Sequence, residues 1–301
     1  LGGSGGGGTG GASAAAPSKL GAHFDEDGAL HIAVRSRVAQ RIEAWLYGEA
    51  FGAPQRRIVR LDEAEAQTFR AVVSAADLAE AGLDDVGYYG YRALGPGWQW
   101  DAAWTPGSEL GFTTDVDDAG NRFNPNKLLL DPYALEMSHD PIHAAHRDGA
   151  AYASGPDHRG TDTGAIAPKG IAVPGGMGAP VAPLGGALGD QTVYEVHVRG
   201  FTRADASLPE SLRGTYAGAA TKAAYLADLG VTAIELLPLH ETQNVQNDID
   251  PNSAAGDNYW GYSTLGFFAP ERRHASDKSP GGPTRELKAM EIGRASCRER
   301  V

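Results

Sequence analysis

Two apolar runs of strand type, with a helical stretch between them, constrain this chain more than any other feature. The first is Thr192 to Val198 and the second is Val231 to Leu237, which stops at Pro238. Between them, Thr215 to Leu229 carries Ala223, Leu226, Ala227 and Leu229 at helical spacing, and Gly230 follows where a C′ glycine belongs. Strand, helix and strand within about fifty residues make one βαβ unit, whose strands are parallel by topology. Both runs are nearly continuously apolar, which predicts a sheet covered on both faces. Such a unit opens either a doubly wound sheet or a (β/α)8 barrel. No glycine-rich phosphate loop follows the first run, which counts against a nucleotide-binding fold.

The residues around these runs resemble a known family. Tyr194-Glu-Val-His-Val-Arg-Gly-Phe-Thr202, Gly230-Val-Thr-Ala-Ile-Glu-Leu-Leu-Pro-Leu239 and Asn258-Tyr-Trp-Gly-Tyr262 are similar to the first two barrel strands and following loop of the alpha-amylase superfamily, glycoside hydrolase family 13. Glu241-Thr-Gln-Asn244 and Phe268-Ala-Pro-Glu-Arg-Arg273 resemble bacterial isoamylases, which cut alpha-1,6 branch points of glycogen and amylopectin. Asn121 to Tyr133 is also similar to debranching enzymes, and the whole resemblance covers roughly Tyr89 to Met290. It implies a multidomain chain: an N-terminal antiparallel β-sandwich like a carbohydrate-binding module of family 48, then the first βαβ part of an incomplete (β/α)8 TIM barrel. Pullulanases and intracellular glycogen debranching enzymes are the alternatives within the enzyme class. A non-catalytic glucan-binding protein is the alternative outside it.

Composition bears mainly on partners. The net charge of −12 disfavours nucleic acid or an anionic membrane, and a neutral glucan is compatible with it. No run of eighteen apolar residues occurs, so no membrane span is expected. The only cysteine, Cys297, cannot form an internal disulfide.

Taken in order, Leu1 to Ser18 is a flexible Gly/Ser linker, too glycine-rich to pack. Spacers of this kind often follow an export signal, which points to an extracellular or periplasmic protein. Residues 19–110 show period-two runs, with Ile42, Ala44 and Leu46 alternating with Arg41, Glu43 and Trp45. Runs at Ile58-Val59, Phe69 to Val73 and Tyr89 to Arg92 follow at turn-separated intervals and predict the sandwich. Trp98, Trp100 and Trp104 either stack on sugar rings or pack at a domain junction, and packing is the preferred reading. Residues 111–189 are irregular, and the resemblance implies a brace between sandwich and barrel, with Leu128-Leu-Leu130 buried at the junction. Asp115, Asp117 and Asp118 lack the glycine and glutamate of a calcium loop and read as turn formers. Residues 190–290 open the barrel. His240 to Ser263 reads as a long loop at its active face, and Thr284 reads as the N-cap of a later helix with Glu286 in its first turn. Residues 291–301 leave the family pattern and resemble a translated sequencing-library adapter, so they read as an artefact that includes Cys297.

Retaining glycosidases need two carboxyl groups about 5 Å apart. In this family they follow the fourth and fifth barrel strands, with a third acid after the seventh, and no residue here matches any of them. The 301-residue chain is therefore expected to be inactive, although the complete protein is expected to be a glycoside hydrolase. Glu195 and Glu235 lie within strands and read as structural, paired acids. The resemblance places Tyr262 against the sugar in subsite −1, where a phenol offers an apolar face and a hydroxyl. Tyr259 and Trp260 read as a loop core. The resemblance also implies a structural calcium site at Asp140, Glu241, Thr242, Asn244 and Glu271. These are hard oxygen donors of mixed charge, as Ca²⁺ requires. Glu271 stands where the family usually has Asp.

Overall fold

A computed structural model of the chain describes residues 19–64, 67–83, 87–142, 149–173, 187–244 and 258–296. The Gly/Ser stretch 1–18, most of the Pro174–Gly189 run and Cys297 lie outside the described residues.

Period-two patterning becomes antiparallel sheet where it was expected. β1 (Gly21–Phe24), β2 (Leu30–Arg35), β3 (Arg41–Tyr47), β4 (Arg57–Glu63), β5 (Thr68–Val73) and β6 (Gly87–Leu94) pair in the order β1-β2-β5-β4-β3-β6. A short helix, α1 (Ala75–Glu80), with Ser74 as its N-cap, links β5 to β6. β4 belongs to both halves of the sheet: Arg57 to Leu61 pair with β3, and Asp62 and Glu63 pair with β5. The seventh strand comes from the segment read as brace. β7 (Gly170–Ala172) pairs with Gly87 to Tyr89 and lies beside β1, so the antiparallel sheet nearly closes on itself.

Inside it, Leu30, Ile32, Ile42, Ala44, Leu46, Phe69, Tyr89 and Tyr91 form the main core. The outward face of β3 is buried as well. Trp45 and Tyr47 pack with Trp104, Leu128 and Ala167, so residues 98–142 and 149–167 roof the sheet. A pattern that reads as core and surface is therefore core on both sides. Trp98 and Trp104 are buried, and their indole N–H groups donate to Leu110 O and Ser108 O. Trp100 is half exposed beneath the Arg41 guanidinium. Of Leu128-Leu-Leu130 only Leu128 is buried. Leu129 is exposed, because its backbone pairs with Tyr91 and turns its side chain outwards.

The brace has few regular elements because side chains satisfy its backbone instead. Asn126 accepts from Gly107 N–H and donates to Ser108 O and Arg159 O. The Lys127 ammonium donates to three carbonyls, those of Ala151, His158 and Thr161, at 2.7–3.0 Å. Asp115 is not a simple turn former: it takes the Arg159 guanidinium on both oxygens. Asp117 does cap its own turn, accepting from the backbone N–H groups of Ala119 and Asn121.

The βαβ unit is present with shorter parts. β8 (Val193–Val196) and β9 (Ala233–Leu236) are parallel, with Glu195 directly beside Glu235. His197 ends β8 by capping α2 (Val198–Thr202), so the apolar Val198 is helical and buried. The helical stretch divides at Thr221 into α3 (Tyr216–Ala220) and α4 (Ala223–Asp228). Gly230 has φ +81°, and the Gly230 and Val231 N–H groups bond Ala227 O and Leu226 O, a Schellman end. One face of the strand pair packs on α3, α4 and the later helix, whereas Val193, Glu195 and Glu235 are exposed on the other. Coverage on both faces is thus not seen among the described residues.

The stretch read as a loop opens with a strand that pairs with another just beyond it. β10 (His240–Thr242) pairs with β11 (Thr264–Pro270) through two register shifts, and residues 245–257 between them are not described. α5 (Gly282–Ser296) begins two residues before Thr284 and runs into the segment read as an artefact. Thr284 is not its cap. The Glu136 carboxylate, buried and far away in sequence, accepts from Gly281 N–H (2.7 Å), Thr284 N–H (2.9 Å) and Thr284 Oγ1 (2.6 Å). No described helix is long and apolar enough to cross a membrane.

Candidate functional site

The irregular β10–β11 pairing sets Glu241 beside the residues that follow β11. Glu271 N–H bonds Leu239 O, which places its side chain next to Thr242 and Asn244. Asp140 reaches the same spot from the strap Glu136–Asp140. That strap bonds β7 on one side, Ile171 N–H to Glu136 O and Ser138 N–H to Lys169 O. Three distant stretches thus meet in one buried cluster.

Four of the five expected metal residues come together through side chains. The Asn244 amide donates to Asp140 Oδ1 (3.3 Å) and Glu271 Oε1 (3.1 Å). Glu271 Oε2 accepts from Thr242 N–H, and Oε1 accepts from Arg273 N–H. Glu241 Oε2 accepts from Arg272 N–H at 3.0 Å. Thr242 differs, because its hydroxyl turns away and donates to Tyr262 O and Ser263 O.

Glu241 and Glu271 are almost fully buried. Burial, reinforced by the Glu271 and Asp140 charges and only partly offset by Arg272, pushes the Glu241 carboxyl up to about 8. Burial raises Glu271 too. The Arg272 guanidinium bridges Asp140 and Glu241 at 3.0 and 3.1 Å. Its contact with Glu241 Oε1 lacks hydrogen-bond geometry, so that oxygen and Asn244 Oδ1 remain buried acceptors without a donor. Two orphaned oxygens beside three carboxylates are a donor set that suits a hard cation. Among the described residues, no three of His, Cys, Asp and Glu converge tightly enough to hold a metal by themselves, so Asn244 would have to complete the set.

Beside this cluster, the loop Asn258 to Tyr262 lies at the end of β9. Gly261 has φ +79°, and a Cβ there would sit 3.0 Å from Pro238 O, so the position needs glycine. Asn258 Nδ2 bonds Thr242 Oγ1, Gln243 O and Tyr262 O. The Tyr262 side chain is 60% exposed. Trp260 does not form a loop core: it is 56% exposed, while Tyr259 lies half exposed on the His197 imidazole. Sequence reasoning missed His197, because a polar residue inside an apolar run looks like part of the strand.

No family model matches the chain. Among solved structures, it resembles the catalytic module of the pneumococcal glycogen-degrading virulence factor SpuA, with TM-score 0.64, 22% identity and coverage of 94% of this chain and 36% of that one. It also resembles the Group B Streptococcus pullulanase SAP solved with maltotetraose, with TM-score 0.62, 20% identity and coverage of 94% and 32%. At such identities these structures show a shared fold and nothing further. The sequence comparisons go further. The chain is 54% identical over 275 residues to an isoamylase of a Flavobacterium species, covering 90% of the chain and 35% of the relative. It is 48% identical over 273 residues to the isoamylase of Pseudomonas amyloderamosa, with the same coverage. Against a Klebsiella pneumoniae glycogen debranching enzyme it is 33% identical over 275 residues, covering 88% and 35%. The chain spans about a third of the length of these curated relatives. Over that span it is similar in sequence to isoamylases and glycogen debranching enzymes.

Proposed function

We propose that this chain is a fragment of an isoamylase-like hydrolase that cleaves alpha-1,6 branches of glycogen and amylopectin outside the cytoplasm. The nearly closed antiparallel sheet is its carbohydrate-binding-module-like domain, and β8 to β9 open its (β/α)8 barrel. The observation that carries this reading is the 54% identity to an isoamylase along almost the whole chain. Tyr262, exposed beside the barrel strands, is the sugar-facing ring. Full-length protein is expected to release reducing ends from amylopectin, and the 301-residue chain to release none. Activity in the short chain, or none in the long one, overturns the proposal.

We further propose that Asp140, Glu241, Asn244 and Glu271 hold a structural calcium ion once the Arg272 side chain withdraws, with Thr242 contributing its backbone alone. The orphaned Glu241 Oε1 and Asn244 Oδ1 support this fit. Without calcium, the raised Glu241 carboxyl makes the folded state bind more protons than the unfolded one. Its stabilising effect is complete below about pH 4.5 and is lost as pH rises through about 8. Calcium binds the deprotonated form, so it should reverse this slope and release protons. Thermal unfolding of full-length protein across pH 5–8, with calcium and with EGTA, reads both effects. Equal midpoints with and without calcium, in wild type and Asp140→Ala alike, would count against the site.

A further inference from the structure

His197 sits where β8 ends, and both ring nitrogens are committed. Nδ1 accepts Gly200 N–H at 3.1 Å, the capping bond of α2, so Nδ1 carries no proton. The proton is therefore on Nε2, which lies 2.8 Å from Tyr259 O and donates to it. The imidazole also stacks on the Tyr259 ring at 4.5 Å and 17°. Trp260 and His274 meet it edge-on, with centroids at 6.3 and 5.4 Å. The fit to α2 is close: a Cβ on Gly200 would stand 2.8 Å from Tyr259 Oη. Three residues further on, the Tyr262 carbonyl is held by Thr242 Oγ1 and Asn258 Nδ2. The loop is pinned at both ends, and His197 supplies the pin from the strand side.

We propose that His197 is a positioning residue for glucan binding: its Nε2–H bond and ring stack fix the Asn258–Tyr262 loop and so aim the Tyr262 ring at a hexopyranose. This rests on the reading that Tyr262 meets the sugar. The imidazole does not touch the glucan in this account. It acts through Tyr259, with its donor atom on the main chain and its ring on the phenol, so contact rather than charge is the property that matters.

Two replacements separate its two bonds. In His197→Asn, the side-chain oxygen still caps α2 but nothing reaches Tyr259 O. In His197→Gln, the amide nitrogen takes the place of Nε2. Both are made in full-length protein, with Trp260 as 5-fluorotryptophan and its ¹⁹F resonance assigned through Trp260→Phe. His197→Asn is expected to raise KM for amylopectin about tenfold with kcat little changed, because a stack present before and during reaction is uniform binding. It should also shift or broaden the Trp260 resonance. His197→Gln, which restores the donor but not the stack, should recover part of both. Unchanged KM and resonance in His197→Asn overturn the proposal, as does a Gln variant that rescues neither. A moved resonance with wild-type KM leaves the loop clamp standing and overturns the glucan role of Tyr262. If His197→Asn fails to fold, Tyr259→Leu removes the stack and keeps the cap, and the same two readouts decide.

Discussion

Arg92→Ala should lower the stability of the chain by about 2–5 kcal/mol, the range for truncating a large buried side chain to alanine. Arg92 is 1% exposed, and its guanidinium lies 4.0 Å from the Trp45 ring centroid and 5.7 Å from that of Trp104. Nη1 donates to Pro125 O at 2.5 Å and Nη2 to Asp162 at 2.7 Å. The alanine would open a gap between two indoles and strand the Pro125 carbonyl, while the exposed Asp162 carboxylate would turn to water. Lysine should not restore the loss, since a point charge neither stacks nor forks between two acceptors. Urea midpoints at unchanged m-value give the answer. A shift under about 1 kcal/mol for Arg92→Ala would show that the sheet and its roof do not depend on this side chain.

Glu136→Ala is expected to cost about 2–4 kcal/mol, because it leaves buried helix-terminal N–H groups without an acceptor and removes a negative charge from the positive end of α5. Glutamine keeps an acceptor and should fall between alanine and wild type. Hydrogen exchange at the Gly281 and Thr284 amides reports the site directly. If alanine leaves those amides as protected as before, the cap is made by something else.

These two residues also show where the sequence could and could not be read. The apolar runs of β8 and β9 and the glycine after α4 were legible because each is decided within a few neighbouring residues. Thr284 satisfied every local rule for an N-cap and lost to a carboxylate 148 residues away. β7 is three residues long in a glycine- and proline-rich region, and β10 is as short and pairs through shifts, so neither carries a period. Trp45 and Arg92 look solvent-facing by alternation, and only the roof that carries Trp104, Leu128 and Ala167 buries them. The acidic cluster was legible as a set only through family resemblance. Nothing local ties Asp140 to Glu241 and Glu271, and nothing local marked His197 as the contact that holds the tyrosine loop.

The strap Glu136–Asp140 carries a consequence for timing. Its backbone is fixed by Lys169 and Ile171 on the antiparallel sheet, and the Glu136 side chain then closes the first turn of α5. The acceptor for that helix exists only after the strap is laid against β7. A ribosome delivers Glu136 and Ile171 well before Gly281, at about 5–20 residues per second. The sheet has several seconds to form and present a finished docking point before the helix that needs it emerges. Moving the α5 segment ahead of the strap by circular permutation would reverse that schedule and leave the helix waiting, uncapped, for a surface not yet made.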